Sequence, residues 1–186
     1  MFKSHLELSE MPYTGKELRP HFILEKTKIY GNAILAFHGE CLVPIESMVD
    51  MEDRIENSPI YSKQMLHFIC EFFDCQDLTA AVLRQRLFIA IIIEEMRKLS
   101  PTLNIRRSGD DIFVNDKKLS VSIATNSAVS TLIHIGINID PTGAPIAAIG
   151  LNEINVPWKI LAENTLQSIT NELHDIWIAR VKVISR

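Results

Sequence analysis

The chain of 186 residues is 47% hydrophobic and 23% charged, a composition typical of folded globular proteins and not of disordered or fibrous chains. Its net charge of -4 lacks the basic excess that binding to phosphate backbones requires, so we expect no nucleic-acid partner. The most hydrophobic run, LFIAIII at 87–93, is far shorter than the roughly 20 residues of a membrane-spanning helix. We therefore expect one globular domain over residues 1–186 with no membrane segment.

The first part of the chain predicts two strands and then a helix. The apolar, β-tolerant stretch at 31–43 predicts a strand, and HFILEK at 21–26 is its predicted neighbour strand. From Ser62, hydrophobic residues recur at spacings of three and four, which predicts a helix with one broad apolar face. His67 and Glu71 would lie one turn apart at the edge of that face.

The second part of the chain predicts an alternation of helices and strands. In order, we expect a helix at 78–99, a hairpin at 105–123, a strand at 130–140, a helix from 157 to 179 and a final strand at 180–185. Asp77 is the predicted N-cap of the first of these helices, and Ser100-Pro101 ends it. The mixed order predicts an α+β fold in which a mainly antiparallel sheet is flanked by helices.

The hairpin at 105–123 concentrates charge, since it carries an arginine, an aspartate and a lysine doublet. Ile112 and Val114 would point to one face of the hairpin, and Asn115-Asp116 would form its turn. One interpretation is that these charges only solvate a turn. The alternative is that they belong to a binding site.

Basic side chains from two segments predict such a site. Arginine grips carboxylates and phosphates through paired hydrogen bonds, and Arg19, Arg106, Arg107 and Lys118 together would form a basic pocket. We expect this pocket to bind a small anionic metabolite, either a carboxylate or a nucleotide. Separate charges on a solvated surface are the alternative.

The order of these segments resembles the catalytic domain of biotin and lipoate protein ligases. DIFVNDKKLS at 111–120 is similar to the ligase hairpin, and GIN at 136–138 is similar to a strand of those enzymes. The resemblance implies that Lys118 contacts an acyl carboxylate and a phosphate, that Asp111 matches the family's aspartate, and that Asn138 lies near a nucleotide. If the protein is an enzyme, acyl or adenylyl transfer is the favoured class, and ATP with magnesium is the candidate cofactor. Lys118 and Arg107 would then hold the anion, and Asp111 would orient a ligand hydroxyl, amine or magnesium ion.

A resemblance to one family extends over nearly the whole chain. The segments PYTGKELRPHF, GECLV, MVDMEDRI and MLHFICEFF resemble the uncharacterised domain-of-unknown-function 366 family. That resemblance implies the fold shared by biotin synthetases and class II aminoacyl-tRNA synthetases. It implies no particular activity.

Two departures from the ligase pattern favour a different function. No segment of the GRGRxG kind, which closes over the adenylate in biotin ligases, occurs in this chain, and Val121 replaces the glycine that leaves room for the acyl group. A non-catalytic ligand-sensing or interaction module on the same fold is therefore an alternative to a transferase.

A metal-dependent hydrolase is a second alternative. His67 and Glu71 could bind a divalent metal ion together with the acidic residues Asp50, Glu52 and Asp53. The same acidic residues equally predict the start of a helix, where carboxylates interact favourably with the dipole.

The remaining predictions concern one histidine, the three cysteines, the cellular location and the oligomeric state. His134 lies on an apolar strand and is expected to be a core histidine, while Cys41 is the one cysteine near a potential base, His38. Three cysteines without a metal-binding pattern, and no signal-peptide pattern, predict free thiols and a cytoplasmic location. A homodimer that pairs through a sheet edge is a further expectation.

Overall fold

A computed structural model describes residues 2–184, in which strands and helices are mixed along the chain. The strands are β1 (Lys3–Leu6), β2 (Ala33–Val43), β3 (Ile60–Phe72), β4 (Ile105–Ser108), β5 (Asp111–Val114), β6 (Lys117–Lys118), β7 (Ser120–Asn126) and β8 (Thr131–Asp140). The helices are α1 (Phe22–Thr27), α2 (Met51–Ile55), α3 (Leu78–Leu99) and α4 (Trp158–Val181). Within residues 2–184, no helix is both long enough and apolar enough to cross a bilayer.

Five strands form the main sheet, in the order β1-β2-β3-β8-β7. Only the β1–β2 pair is parallel among these strands, and the other three pairs are antiparallel. A smaller antiparallel sheet, β4-β5-β6, contains the charged hairpin. The predicted α+β class with a mainly antiparallel sheet is confirmed.

The two faces of the main sheet have different surroundings, and β8 shows this most clearly. Four of its five odd-numbered residues are isoleucines that belong to the hydrophobic core formed with α3 and α4. Its even-numbered residues include His134, Gly136 and Asn138, and they point to the other face because side chains alternate along a strand. The sheet therefore presents polar groups on the side away from the two long helices.

Several predicted elements are confirmed. Helix α3 has the predicted bounds, and the Asp77 side chain accepts a hydrogen bond of 2.8 Å from the N–H of Ala80 as its N-cap. Strands β2 and β8 and helix α4 lie within two or three residues of their predicted positions. Asp50 accepts hydrogen bonds from the N–H groups of Glu52 and Asp53, so the acidic stretch does begin a helix, α2.

The helix predicted from Ser62 onward is wrong, because this segment is strand β3. Leu66 and Phe68 pack into the core beneath α3 and α4, while Met65 and Ile69 pack into the core on the opposite face. A strand buried on both faces has no alternation of polar and apolar residues, so its continuous apolar run matched a helical spacing by chance.

Two predicted strands are also wrong. The segment 21–26 falls largely in helix α1, which is bounded by His21 and Lys28 in left-handed conformations. The predicted strand at 180–185 begins with Arg180 and Val181, which are the end of α4, and no strand follows through residue 184. Ser185 lies outside the described residues. Both segments are too short for their hydrophobic spacing to distinguish a helix from a strand.

Candidate functional site

A cavity of about 480 Å³ lies on the sheet face that α3 and α4 leave free. Residues of β3, β7 and β8, among them Met65, Val121 and His134, line its sheet side. The segment around Tyr13, the α2 region, the β5–β6 hairpin and the loop 144–148 complete the wall. The volume is in the range of small-molecule sites.

Lys118 enters this cavity from the return strand of the hairpin. Its N–H donates to the carbonyl oxygen of Ala147 (3.2 Å), and its own carbonyl oxygen accepts from the N–H of Ile149 (3.0 Å). The ammonium group lies 3.0 Å from a carboxylate oxygen of Asp111, and both side chains are about three-tenths exposed. The backbone of Lys118 is thus fixed on both sides while its charge faces the cavity.

Asn138 lies beside Lys118 and is only 6% exposed. Its N–H donates to the carbonyl oxygen of Leu119 (2.9 Å), and its carbonyl oxygen accepts from the N–H of Leu151 (2.8 Å). Its side-chain amide reaches the carbonyl oxygen of Lys118 at 3.5 Å. The structure therefore brings together three of the residues expected from the sequence: Asp111, Lys118 and Asn138.

The predicted arginines lie elsewhere. Arg19 pairs with Glu25 at the surface, and Arg107 donates to the carbonyl oxygen of Gly109 at 3.1 Å. Arg106 stacks over the ring of Phe113, 4.5 Å from its centroid. None of these arginines lines the cavity, so Lys118 is not part of a cluster of basic residues there.

Carboxylates dominate the charge of the cavity instead. Its lining includes Asp50, Glu52, Asp53, Asp110 and Asp111. Asp110 is held by the guanidinium of Arg86 (3.2 Å), the amide of Gln85 (3.0 Å) and the hydroxyl of Ser122 (2.8 Å). Burial, and to a smaller extent the neighbouring charge of Asp50, raises the pKa of Asp53.

Sequence reasoning missed a group of aromatic and imidazole rings in the cavity. The ring of Tyr13 stacks on the imidazole of His134, with centroids 3.8 Å apart, and His134 in turn contacts His67. His134 was expected to be an ordinary core histidine, yet it lines the cavity although it is only 3% exposed. The alternation IHIGINI was the available signal, since it places His134 and Asn138 on one strand face.

His67 and Glu71, the candidate metal ligands, each have another role. His67 lies 3.1 Å from a ring nitrogen of His134, whereas the carboxylate of Glu71 accepts hydrogen bonds from the N–H of His21 (2.9 Å) and the hydroxyl of Ser130 (2.8 Å). They lie on a strand and not on one helical turn. Across residues 2–184, no three histidine, cysteine or acidic side chains group in a way that could hold a metal ion.

Cys41 also lines the cavity and is fully buried. Burial raises the pKa of its thiol to about 12, with smaller contributions from the carboxylates of Glu17 and Glu40. The thiol therefore stays protonated at neutral pH and is a poor nucleophile.

The lining residues do not fit the triphosphate of ATP. A polyphosphate needs several cationic groups or a glycine-rich loop of N–H donors. In the described part of the chain, the cavity offers one lysine, one glycine, Gly15, and five carboxylates. We therefore derive no reaction step through ATP.

The chain is similar to proteins of unknown function from two archaea. It is 37% identical to an uncharacterised protein of Methanocaldococcus jannaschii over 151 residues, which are 78% of this chain and 67% of that protein. A solved structure of a protein of unknown function from Pyrococcus horikoshii is 34% identical, with a TM-score of 0.92 over 98% of this chain and 99% of that chain.

More distant similarity extends to biotin and lipoate ligases. Biotin protein ligase from Aquifex aeolicus, in complex with biotin and ATP, has a TM-score of 0.60 at 14% identity over 91% of this chain and 70% of that chain. Lipoate-protein ligase A bound with ATP has a TM-score of 0.61 at 14% identity, over 92% of this chain and 86% of that chain. At this identity the likeness shows a shared fold, which is the class II synthetase-like fold expected from the sequence.

Membership of a family follows from a match along nearly the whole chain. The sequence model of the family described as "Domain of unknown function (DUF366)" matches residues 2–184. This match agrees with the extended segments that suggested the same family. The chain belongs to the DUF366 family, whose fold it shares with biotin and lipoate protein ligases.

Proposed function

We propose that this protein binds a small metabolite in the cavity and that Lys118 contacts an anionic group of that metabolite. The observation that carries this proposal is the position of the ammonium group. Within residues 2–184, Lys118 is the one lysine or arginine of the cavity lining; hydrogen bonds fix its backbone on both sides, and Asp111 holds its ammonium group. A fixed charge of this kind orients a ligand without having to be ordered first.

The neighbours of Lys118 support the same role. Asp111 lies 3.0 Å from the ammonium group and holds it toward the cavity, and the side-chain amide of Asn138, which also lines the cavity, lies 3.5 Å from the carbonyl oxygen of Lys118. Structures that share this fold were solved with biotin and ATP or with ATP, so the fold accommodates small ligands. Arg19 and Arg107, expected from the sequence to share this role, do not line the cavity.

If the bound molecule reacts, acyl transfer is the reaction class that we favour over adenylyl transfer. The ammonium group of Lys118 would stabilise negative charge that develops on an acyl oxygen. Adenylyl transfer is disfavoured because the cavity lining does not fit a triphosphate. The alternative is a non-catalytic sensing module, which is favoured by Val121 since its side chain occupies part of the cavity wall.

A thermal-shift screen tests the binding proposal. Purified protein would be heated with ATP and magnesium, biotin, lipoate, octanoate, amino acids and nucleobases, each in turn. A ligand at a hundred times its dissociation constant adds about 2.7 kcal/mol, which raises the midpoint of a protein of this size by roughly 5–10 °C. We expect at least one anionic compound to produce such a shift.

Two adjacent lysines provide the matched variants. Lys118→Met should remove at least nine-tenths of the affinity for the stabilising compound, because the cavity loses its cation. Lys117→Met changes a solvent-exposed neighbour in the same short strand and should leave the affinity unchanged. Equal affinity in both variants would remove Lys118 from the site. If a carboxylic acid raises the melting temperature and ATP increases that rise, adenylyl transfer becomes the favoured reaction class.

A further inference from the structure

The two buried histidines of the cavity form a short relay that ends at the cavity surface. A nitrogen of His67, Nε2, lies 3.4 Å from the carbonyl oxygen of Gly39, and its Nδ1 lies 3.1 Å from Nε2 of His134. His67 is fully buried and His134 is 3% exposed. Burial lowers the pKa of His67 to about 3 and also lowers that of His134, so both rings are neutral at physiological pH.

The carbonyl oxygen of Gly39 fixes the positions of the protons along this relay. A carbonyl oxygen can only accept, so the hydrogen on His67 must be on Nε2, and Nδ1 of this neutral ring is then an acceptor. The facing nitrogen of His134, Nε2, must therefore donate its hydrogen to His67. A neutral imidazole carries one ring hydrogen. Because the hydrogen-bond network assigns that hydrogen to Nε2 of His134, Nδ1 carries none and presents a free lone pair.

Within residues 2–184, the His134 ring makes its hydrogen bond through Nε2, so Nδ1 is left to face the cavity that this residue lines. Tyr13 stacks on the ring and keeps it in place. The cavity thus presents a fixed acceptor to any molecule that enters it.

The charge of the cavity narrows the kind of donor that fits. Five carboxylates line the wall; Asp111 is paired with Lys118 and Asp110 with Arg86, which leaves the negative charges of the α2 region in excess. Beside this wall, a ligand with only negative charge would bind less tightly than one that also carries a positive charge. A cationic N–H group satisfies both the acceptor at His134 and the carboxylates.

We propose that the ligand is a zwitterion of the amino-acid type, with an ammonium or other cationic N–H group directed at His134 and the acidic wall. This inference rests on the proposed function, because the anionic group of the zwitterion is the one that Lys118 contacts. It replaces the simple carboxylate or nucleotide expected from the sequence with a molecule that carries both charges.

Matched sets of three compounds test this inference. For each apolar amino acid, the full-length protein would be titrated with the amino acid, with the carboxylic acid that lacks the amine, and with the amine that lacks the carboxylate. Leucine, 4-methylpentanoate and 3-methylbutylamine form one such set. We expect one amino acid to bind at least tenfold more tightly than either of its fragments.

Histidine variants locate the amine. His134→Phe preserves the size of the ring and its stacking on Tyr13 but removes the acceptor, so it should lower the affinity for the amino acid tenfold or more. The affinity of the matched carboxylic acid should change less than threefold. His174→Phe, in α4 and away from the cavity, is the control and should bind both compounds as the native protein does.

Nitrogen NMR of the native protein gives a second measurement that does not depend on the folding of a variant. In protein labelled with ¹⁵N-histidine, Nδ1 of His134 should show the chemical shift of an unprotonated ring nitrogen and should move on addition of the amino acid. A protonated Nδ1 in the free protein would overturn the inference.

The remaining outcomes separate this inference from the proposed function. If carboxylic acids bind as tightly as their amino acids, and lose binding in Lys118→Met, then the proposed function stands and the zwitterion does not. If His134→Phe binds the amino acid normally, the inference likewise fails. If no compound of any set binds, the zwitterion inference fails, and the proposed function fails only if the thermal-shift screen also produces no shift.

Discussion

At the scale of single residues, the uncharged state of His67 and His134 has a consequence for stability as well as for binding. Their pKa values lie below that of a histidine in an unfolded chain, which is roughly 6.5. Above that pH, neither the folded nor the unfolded protein binds a proton at these rings. Below it, only the unfolded chain does, so acid shifts the equilibrium toward unfolding.

We expect the free energy of unfolding to fall as the pH is lowered from 7 to 5. The loss should approach about 1.4 kcal/mol per pH unit for each histidine below pH 6.5, and for His67 it should continue down to its folded pKa of about 3. Urea unfolding at pH 7, 6 and 5 measures it. In His134→Phe, the free energy of unfolding should fall with pH about half as steeply as in the native protein. An equally steep fall in this variant would contradict the account.

The residues of the site differ in how far the sequence could predict them. Asp111, Lys118 and Asn138 lie within one hairpin and a strand that follows soon after it, so local pairing brings them together. Tyr13 and His67 come from distant parts of the chain and meet His134 only through tertiary packing. No spacing in the sequence records that packing.

At the scale of elements, a segment without regular structure determines where Tyr13 stands. The N–H of Met11 donates to the carbonyl oxygen of His38 (2.9 Å), and that of Tyr13 donates to Glu40 (2.8 Å), so this segment runs along β2. The backbone of Met11 passes directly over Gly39, where a β-carbon would overlap its carbonyl oxygen. A glycine is needed at this crossing because nothing larger leaves room for the backbone.

Gly39→Ala should therefore destabilise the protein by about 3 kcal/mol, since backbone atoms must move to admit a methyl group. The cavity should change with it, because the displaced segment carries Tyr13. Gly31→Ala is the control, as no atom lies within 4 Å of its added β-carbon and only its positive φ of 90° resists the change. We expect the control to cost about 1 kcal/mol. If both variants lose the same free energy of unfolding in urea, the backbone crossing at Gly39 is not tight.

The sequence predicted an element correctly where local residues mark its first and last turns. Helix α3 has a capping aspartate, good helical propensity and basic residues in its last turn, and its bounds were predicted correctly. Strand β3 lacks such signals because both of its faces are buried, and its helical interpretation was wrong. The short helix α1 was missed because six residues are too few to show a period.

At the scale of the whole molecule, the hydrophobic core and the candidate binding cavity lie on opposite faces of the main sheet. One face packs against α3 and α4 in a core rich in isoleucine, leucine and phenylalanine. The other face holds the cavity, with its histidines and carboxylates. Overall class and family could be predicted from the sequence, because element order and extended motifs carry that information. The charge of the cavity could not, because its carboxylates come from separate segments that meet only in the fold.

The homodimer expected from the sequence remains a prediction at this scale. The outer strands of the main sheet are β1 and β7, so pairing between copies of the chain would use one of these edges. Light scattering over a range of protein concentrations measures the mass in solution. A mass of one chain at every concentration would contradict the dimer.

The central claim is that the cavity is the place where a ligand binds, and methionine methyl NMR tests it most directly. Met48 and Met65 line the cavity, whereas Met96 is buried in the core beneath the helices. In protein labelled with ¹³C-methyl methionine, the compound that stabilises most strongly in the thermal screen should shift the signals of Met48 and Met65 and leave that of Met96 in place. A ligand that raises the melting temperature without moving the Met48 or Met65 signals would contradict the claim.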